Sequence, residues 1–168
     1  MRVIETKAYT FDELSDDAKA KAISRLSHIN VDYDWWDSTY DDAAQIGLKI
    51  KGFGLTHAIG EFTLSAAEVM ANIFANHGEG CETYKTAKAF EAEWQPLFDD
   101  YMDELSDKYE SQEAEDDLSD MEANFLDSLL EDYSIMLQKE YEYLQSEEAI
   151  IETIVASEYE FTEEGKQI

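Results

Sequence analysis

The sequence contains few of the residues that interrupt or cross-link a chain. It has one proline, seven glycines and one cysteine among 168 residues. So little proline and glycine favours continuous helices and strands over linkers. The single cysteine, Cys81, excludes an internal disulfide, which is typical of a cytoplasmic protein.

Long apolar runs are also missing. No stretch of about 18 apolar residues is present, so the sequence predicts no membrane span. The first residues, MRVIETKAYTFDEL, lack the apolar core of a secretory signal peptide. We therefore expect a protein of the cytoplasm.

Basic residues are scarce, with 12 lysines and arginines against 40 aspartates and glutamates, a net charge of −28. Residues 1–84 carry −7 and residues 85–168 carry −21. Within 99–132, fifteen acids accompany one base, Lys108. Nucleic acid and anionic membranes would be repelled, which excludes them as direct partners and favours a basic protein partner.

The remaining composition is that of a folded chain. Hydrophobic residues make up 44% and aromatic residues 12%, which is unlike a disordered protein. A chain of this length is normally one domain that buries about two-thirds of its unfolded surface. We expect a single domain over 1–168, with a mixed α/β part at 1–84, an acidic helical arm at 85–147 and a return segment at 155–168.

The hydrophobic pattern predicts an α+β fold that is mostly α. Alternating residues predict strands at 2–9, in a hairpin at 48–64 and in the C-terminal segment EYEFTEEGKQI, together making a small antiparallel sheet. Helix-start residues and periodicity predict helices from Thr10 or Ser15 to about His28, from Asp34 to Ile46, and from Ser65 to about Gly78. Gly47 is suited to end the second of them.

The acidic helical arm follows from Thr83, where the pattern stays helical for some sixty residues. Pro96 predicts a kink or a new helix start, and the segment YESQEAEDDLSD (109–120) predicts an exposed bend. One apolar stripe comprises Leu118, Met121, Phe125, Leu129, Tyr133, Met136 or Leu137, Tyr141 and Leu144. A homodimer is one way to cover so long a stripe.

The segment DYDWWDSTYDD (32–42) offers a candidate cation site. Helical spacing places Asp34, Asp37 and Asp41 on one face, but no second ligand motif completes a Mg²⁺ site. We expect no metal and no cofactor, and keep a metal-dependent hydrolase as an alternative. Trp35 and Trp36 point about 100° apart on a helix and cannot both face one core. Trp35 either covers a second packing surface or is an exposed partner-binding anchor.

Sequence motifs of catalysis are missing. The segment HGEGC (77–81) lacks the ligand spacing of a zinc site, and we interpret it as a helix exit with an incidental thiol. No nucleophile elbow, phosphate-binding loop, dinucleotide fingerprint or zinc-protease motif occurs. We therefore expect that the protein is not an enzyme.

The acidic residues of 99–132 form the main candidate binding surface. If helical throughout, this segment spans roughly 50 Å and carries about one net charge per 3.6 Å, close to the ~3.4 Å phosphate spacing of a DNA strand. A solvated acidic face is the alternative. The candidate partner-binding carboxylates are Asp99, Asp100, Asp103, Glu104, Asp107, Glu110, Glu113, Glu115, Asp116, Asp117 and Asp120, with Trp35 or Trp36 as an apolar anchor.

Five stretches of the sequence resemble a family of small acidic proteins of enterobacterial tailed phages and prophages. They are YTFDELSDDAKAKAISRL, DYDWWDSTYDDAAQIGLKI, HGEGCETYKTA, LQKEYEYL and EYEFTEEGK. The resemblance implies a phage origin and action in the cytoplasm of the infected bacterium. It assigns no catalytic or binding residue.

The phage resemblance and the charge suggest an inhibitor that mimics DNA. Such a protein would bind a basic, nucleic-acid-binding host protein, for instance a restriction or CRISPR nuclease, by presenting carboxylates in place of phosphates. Some members of the family carry an antitoxin-like label, so neutralisation of a toxin through the apolar stripe is the alternative.

Overall fold

A computed structural model describes residues 7–54, 57–104 and 111–168, without the side chains of 103–104 and 111–114. Within these ranges the fold is α+β and mostly α, which confirms the predicted class. The strands are β1 (Tyr9–Thr10), β2 (Leu48–Phe53), β3 (Ala58–Phe62) and β4 (Glu160–Phe161). The helices are a 3-10 turn (Phe11–Glu13), α1 (Asp16–Arg25), α2 (Asp37–Ile46), α3 (Ala66–Asn76), α4 (Glu82–Glu104), α5 (Ser111–Leu144) and α6 (Glu147–Ala156).

The chain divides into two compact units. The terminal unit comprises Met1–Trp35 and Lys139–Ile168, and the central unit comprises Trp36–Gln138. In the described residues each unit has its own buried apolar cluster. The prediction of a single domain stays a prediction.

The terminal unit joins the two ends of the chain. Strands β1 and β4 pair antiparallel, with Tyr9 opposite Phe161, so the predicted C-terminal return strand is confirmed. The buried cluster of this unit consists of Phe11, Leu14, Ala18, Ala22, Ile150, Ile154 and Phe161. Buried Asn30 donates to the Leu144 carbonyl at 3.1 Å and accepts from the Thr153 hydroxyl at 2.7 Å.

The central unit contains the predicted hairpin. Strands β2 and β3 pair antiparallel, with Leu48 opposite Phe62 and Ile50 opposite Gly60, and a bulge follows Ile50. Gly47 ends α2 at φ +90°, a left-handed conformation that glycine adopts without strain, and it leads directly into β2. The hairpin therefore starts where the sequence predicts it.

Two predictions about element boundaries in the first half, and one about the sheet, are wrong or only partly tested. The predicted strand at 2–9 lies mostly outside the described residues, and its described end forms only β1. Helix α1 ends at Arg25 rather than near His28. In the described residues the strands make two separate two-stranded sheets instead of one, because β1 pairs with β4 and β2 pairs with β3.

Two predictions about the acidic helical arm are wrong in part, and one helix after it was not predicted. Helix α4 continues through Pro96, so the predicted new helix start there is wrong, while the alternative of a kink stays a prediction. The carbonyl deprived of a partner belongs to exposed Ala92, where water can bond to it. No bend interrupts 111–120, which α5 covers from Ser111 onward. A separate helix, α6, follows Ser146, whose hydroxyl accepts the Ala149 N–H at 3.2 Å.

Candidate functional site

Helices α4 and α5 run antiparallel in the central unit and carry most of its charge. The Thr86 hydroxyl donates to Asp132 Oδ2 at 2.7 Å near one end of the pair. Further along, the rings of Phe90 and Phe125 stack with centroids 4.1 Å apart and planes 4° from parallel. These contacts fix the two helices against each other and turn their remaining faces outward.

The antiparallel arrangement of the two helices changes the charge geometry. The described residues of 99–132 lie on two neighbouring helices, α4 up to Glu104 and α5 from Ser111 onward, which contact each other through Thr86 and Asp132 and through Phe90 and Phe125. The single row of charges some 50 Å long, expected only if 99–132 were helical throughout, does not describe this arrangement. The carboxylates are distributed over two neighbouring helices.

The predicted partner-binding carboxylates fall into three groups. Those that are described and exposed are Asp99 and Asp100 on α4 and Glu115, Asp116, Asp117 and Asp120 on α5. Asp103, Glu104 and Glu113 lie on these helices, with side chains outside the description. Asp107 and Glu110 lie outside the described residues.

One outward face of α5 collects four exposed carboxylates, which we call the outer acidic face: Asp116, Asp120, Asp127 and Glu131. Their spacing of i, i+4, i+11 and i+15 confines them to an arc of about 60° over roughly 22 Å of helix. They lie opposite the buried residues Leu118, Phe125 and Leu129. Among described residues, no basic side chain forms an ion pair with Asp120, Asp127 or Glu131.

Asp127 and Glu131 were not among the residues predicted from the sequence. The signal was present, because both lie opposite the apolar stripe at helical spacing. The sequence prediction emphasised the densest run of acids instead of the outward face.

In the central unit, 24 acidic and 5 basic residues give a net charge of −19, so the outer acidic face lies in a strongly negative field.

A groove lies between α4 and α5, with a volume of about 630 Å³. Its floor is apolar, and three carboxylates, Glu93, Asp117 and Asp120, are among its lining residues. The lining is completed by Thr86, Ala89, Phe90, Leu97, Met121, Asn124, Phe125 and Ser128. None of these described lining residues is basic. The groove therefore combines apolar surface with negative charge.

The two tryptophans predicted as anchors are both partly covered within their own units. Trp35 packs on Tyr141, with ring centroids 5.6 Å apart, in the terminal unit. Trp36 meets Phe53 edge-on at 5.6 Å in the central unit. Of the two possibilities for Trp35, the packing surface fits this arrangement better than an exposed anchor.

The candidate cation site is not assembled as predicted. Helix α2 begins at Asp37, so Asp34 lies before the helix and does not share a helical face with Asp37 and Asp41. In the part of the chain that the structure describes, no three His, Cys, Asp or Glu side chains are placed to hold a metal ion. The metal-dependent hydrolase therefore gains no support.

In the segment 77–81, His77 is held by contacts of its ring nitrogens with residues outside the segment. His77 Nδ1 lies 2.7 Å from the Thr83 hydroxyl, and its Nε2 lies 3.6 Å from Asp42 Oδ1. Both ring nitrogens therefore face other groups, and neither is left to activate Cys81, which is exposed. This matches the interpretation of 77–81 as a helix exit with an incidental thiol.

The chain matches no protein-family model, no curated protein and no solved structure. None of the helices in the described ranges is both long and apolar enough to cross a membrane. The functional conclusion therefore depends on the geometry and charge of the α4–α5 surface.

Proposed function

We propose that this protein binds a basic, nucleic-acid-binding host protein and inhibits it by presenting carboxylates where phosphates would otherwise bind. The observation that carries the proposal is the outer acidic face, four exposed carboxylates on one side of a rigid helix. The resemblance to phage proteins supports a defence nuclease as the target and the bacterial cytoplasm as the place of action. No catalytic step is part of the proposal.

The physical basis is the imbalance between negative and positive charge in the central unit. Its net charge of −19 raises the local concentration of a basic partner and accelerates association. Exposed charges more than about 10 Å apart are screened at 0.1 M salt, so capture should weaken steeply as salt rises. Specificity then depends on where the carboxylates are fixed.

Capture from a bacterial lysate tests the proposal. The full chain is immobilised, exposed to nuclease-treated enterobacterial lysate at low salt, and eluted with a salt gradient, and bound proteins are identified by mass spectrometry. A variant lacking the outer acidic face carries Asp116→Asn, Asp120→Asn, Asp127→Asn and Glu131→Gln. The matched control removes four exposed charges from the terminal unit: Asp32→Asn, Glu140→Gln, Glu163→Gln and Glu164→Gln.

The expected result is a nucleic-acid-binding protein that the native chain and the control retain to the same salt concentration and that the face variant releases earlier. The purified partner should then lose its nucleic-acid binding when the native chain is added. Retention by the face variant at equal salt would contradict the proposal and favour the antitoxin-like alternative. A partner with no affinity for nucleic acid would contradict it as well.

A further inference from the structure

The groove between α4 and α5 is built from two facing stripes of side chains. On α4 they recur from Thr86 to Leu97, and on α5 from Asp117 to Ser128, each at spacings of three or four residues. Eleven residues along a helix correspond to roughly 16 Å, or three turns. The groove is thus long enough for a short helical segment of another protein.

The floor of the groove supplies apolar contact. Phe90 and Phe125 are 6% and 3% exposed and form the rigid base, while Leu97 and Met121 are only partly buried. A volume near 630 Å³ falls in the ordinary range of about 300–1,000 Å³ for binding pockets. Apolar side chains of a partner protein would be removed from water on this floor, whereas a charged nucleic-acid backbone has no apolar side chains to bury.

The negative charge of the groove favours a positively charged occupant. Glu93, Asp117 and Asp120 line it at the end near Leu97, whereas Thr86 and Ser128 at the other end are neutral. A second copy of this chain would bring another strongly negative unit against these carboxylates, which disfavours self-association here. Lysine or arginine side chains match the charge.

We propose that the groove binds an amphipathic helical segment of the basic partner, with its apolar side chains on the floor and its lysines or arginines against Glu93 and Asp117. This inference rests on the proposed function, because it supplies the docking site for the same partner. The outer acidic face attracts the partner, and the groove, which shares Asp120 with that face, selects a helix with both apolar and basic residues. Helix-in-groove recognition is a common mode of peptide binding.

Two synthetic peptides test the proposal by fluorescence anisotropy with the full chain. One is a fluorescein-labelled helical peptide of lysines with leucines at positions i, i+3, i+4 and i+7. The other has the same lysines and serines in place of the leucines. Burial of one or two leucines on the groove floor should make the first peptide bind at least about tenfold more tightly.

Two pairs of variants locate the binding site. Glu93→Gln with Asp117→Asn removes two groove charges, and Asp127→Asn with Glu131→Gln removes two charges outside the groove. The groove pair should weaken the leucine peptide by about tenfold and the control pair by less than about threefold. Ala89→Trp fills the groove from an exposed position, whereas Ala92→Trp adds the same ring to an exposed position outside it. Only Ala89→Trp should block the leucine peptide.

The outcomes separate this inference from the proposed function. Equal affinity of the two peptides, or unchanged binding by Ala89→Trp, would overturn the groove and leave capture by charge in place. If the variant lacking the outer acidic face held the lysate partner to the same salt concentration as the native chain, the proposed function would be overturned, whatever the peptides do. Circular dichroism of each variant checks that the helices are retained. We expect them to be retained because the substituted positions are exposed.

Discussion

The hydroxyl of Tyr133 donates a hydrogen bond of 2.7 Å to Asp42 Oδ2, joining α5 to α2. Tyr133 is fully buried, and burial together with the bond to Asp42 raises its pKa well above the ordinary value. The phenol is therefore protonated near neutral pH and acts as a donor. The other oxygen of Asp42 lies 3.6 Å from His77 Nε2, so one carboxylate joins three elements.

Removing this hydroxyl should destabilise the central unit. Tyr133→Phe leaves Asp42 without its buried donor, but the Asp42 side chain is 44% exposed and water can replace the bond in part, so the contribution is that of an ordinary hydrogen bond, about 0.5–1.5 kcal/mol. We expect a loss of that size in the free energy of unfolding, measured by urea denaturation with tryptophan fluorescence. Tyr40→Phe is the control, because Tyr40 is only partly buried and its hydroxyl forms no hydrogen bond with a described residue. Equal losses in the two variants would contradict the assigned bond.

Asp132 should destabilise the protein when it is ionised. Burial raises its pKa, repulsion from Glu82 and Glu131 acts in the same direction, and the bond from Thr86 opposes both. Because the folded pKa is raised, ionisation disfavours folding above that pKa, and the penalty disappears as pH falls toward the unfolded value of about 3.9.

The substitution Asp132→Asn removes the charge and keeps an acceptor for Thr86. At pH 7 we expect the variant to be as stable as the native chain or more stable, by at most about 1 kcal/mol because the carboxylate is partly solvated. The difference should shrink as the pH is lowered toward about 4. Urea denaturation at several pH values measures it. The stability of Asp132→Asn minus that of the native chain should be larger at pH 7 than at pH 4. A smaller difference at pH 7 would contradict the prediction.

Gly60 allows α5 to approach the hairpin closely. A Cβ at this position would lie 2.7 Å from the Lys49 carbonyl oxygen and 2.8 Å from Leu130 Cδ2. Gly60→Ala should therefore cost about 1–3 kcal/mol through overpacking. Gly52→Ala is the matched control in the same hairpin, because nothing lies within 4 Å of its added Cβ. Thermal unfolding should show a lowered midpoint for Gly60→Ala alone.

The capping box at the start of α3 should contribute measurably to stability. Ser65 accepts the Glu68 N–H at 3.3 Å, and the Glu68 carboxylate accepts the Ser65 N–H at 3.0 Å. Ser65→Ala should cost about 1 kcal/mol in urea denaturation. Ser119→Ala, in the exposed interior of α5, should be neutral or slightly stabilising.

This cap should also respond to pH. Hydrogen bonds from the Ser65 side chain and backbone lower the pKa of Glu68. A lowered folded pKa means that the contribution is present above the unfolded value of about 4.3 and is lost as pH falls through the folded pKa. The effect of Ser65→Ala should therefore diminish in acid, and a constant effect between pH 7 and pH 3 would contradict this assignment.

Local signals predicted several elements correctly because they depend on a few neighbouring residues. Ser65 begins a capping box, Gly47 ends a helix in the left-handed conformation, and the alternation of 48–64 forms a hairpin. The course of the chain near Pro96 was not predictable in the same way. There, Trp94 and Leu97 pack in the core on either side of Pro96, and α4 is continuous although Pro96 has no N–H to donate.

The candidate surface was predictable in composition and not in arrangement. The acids of 99–132 and the buried stripe from Leu118 to Tyr133 can both be read from the sequence. The sequence alone determined the charge, the mostly helical fold and the outward direction of many carboxylates, because composition and periodicity are local properties. Only the tertiary structure decided that the acidic segment folds back on itself and encloses an apolar groove, because the stacking of Phe90 on Phe125 depends on residues far apart in the chain.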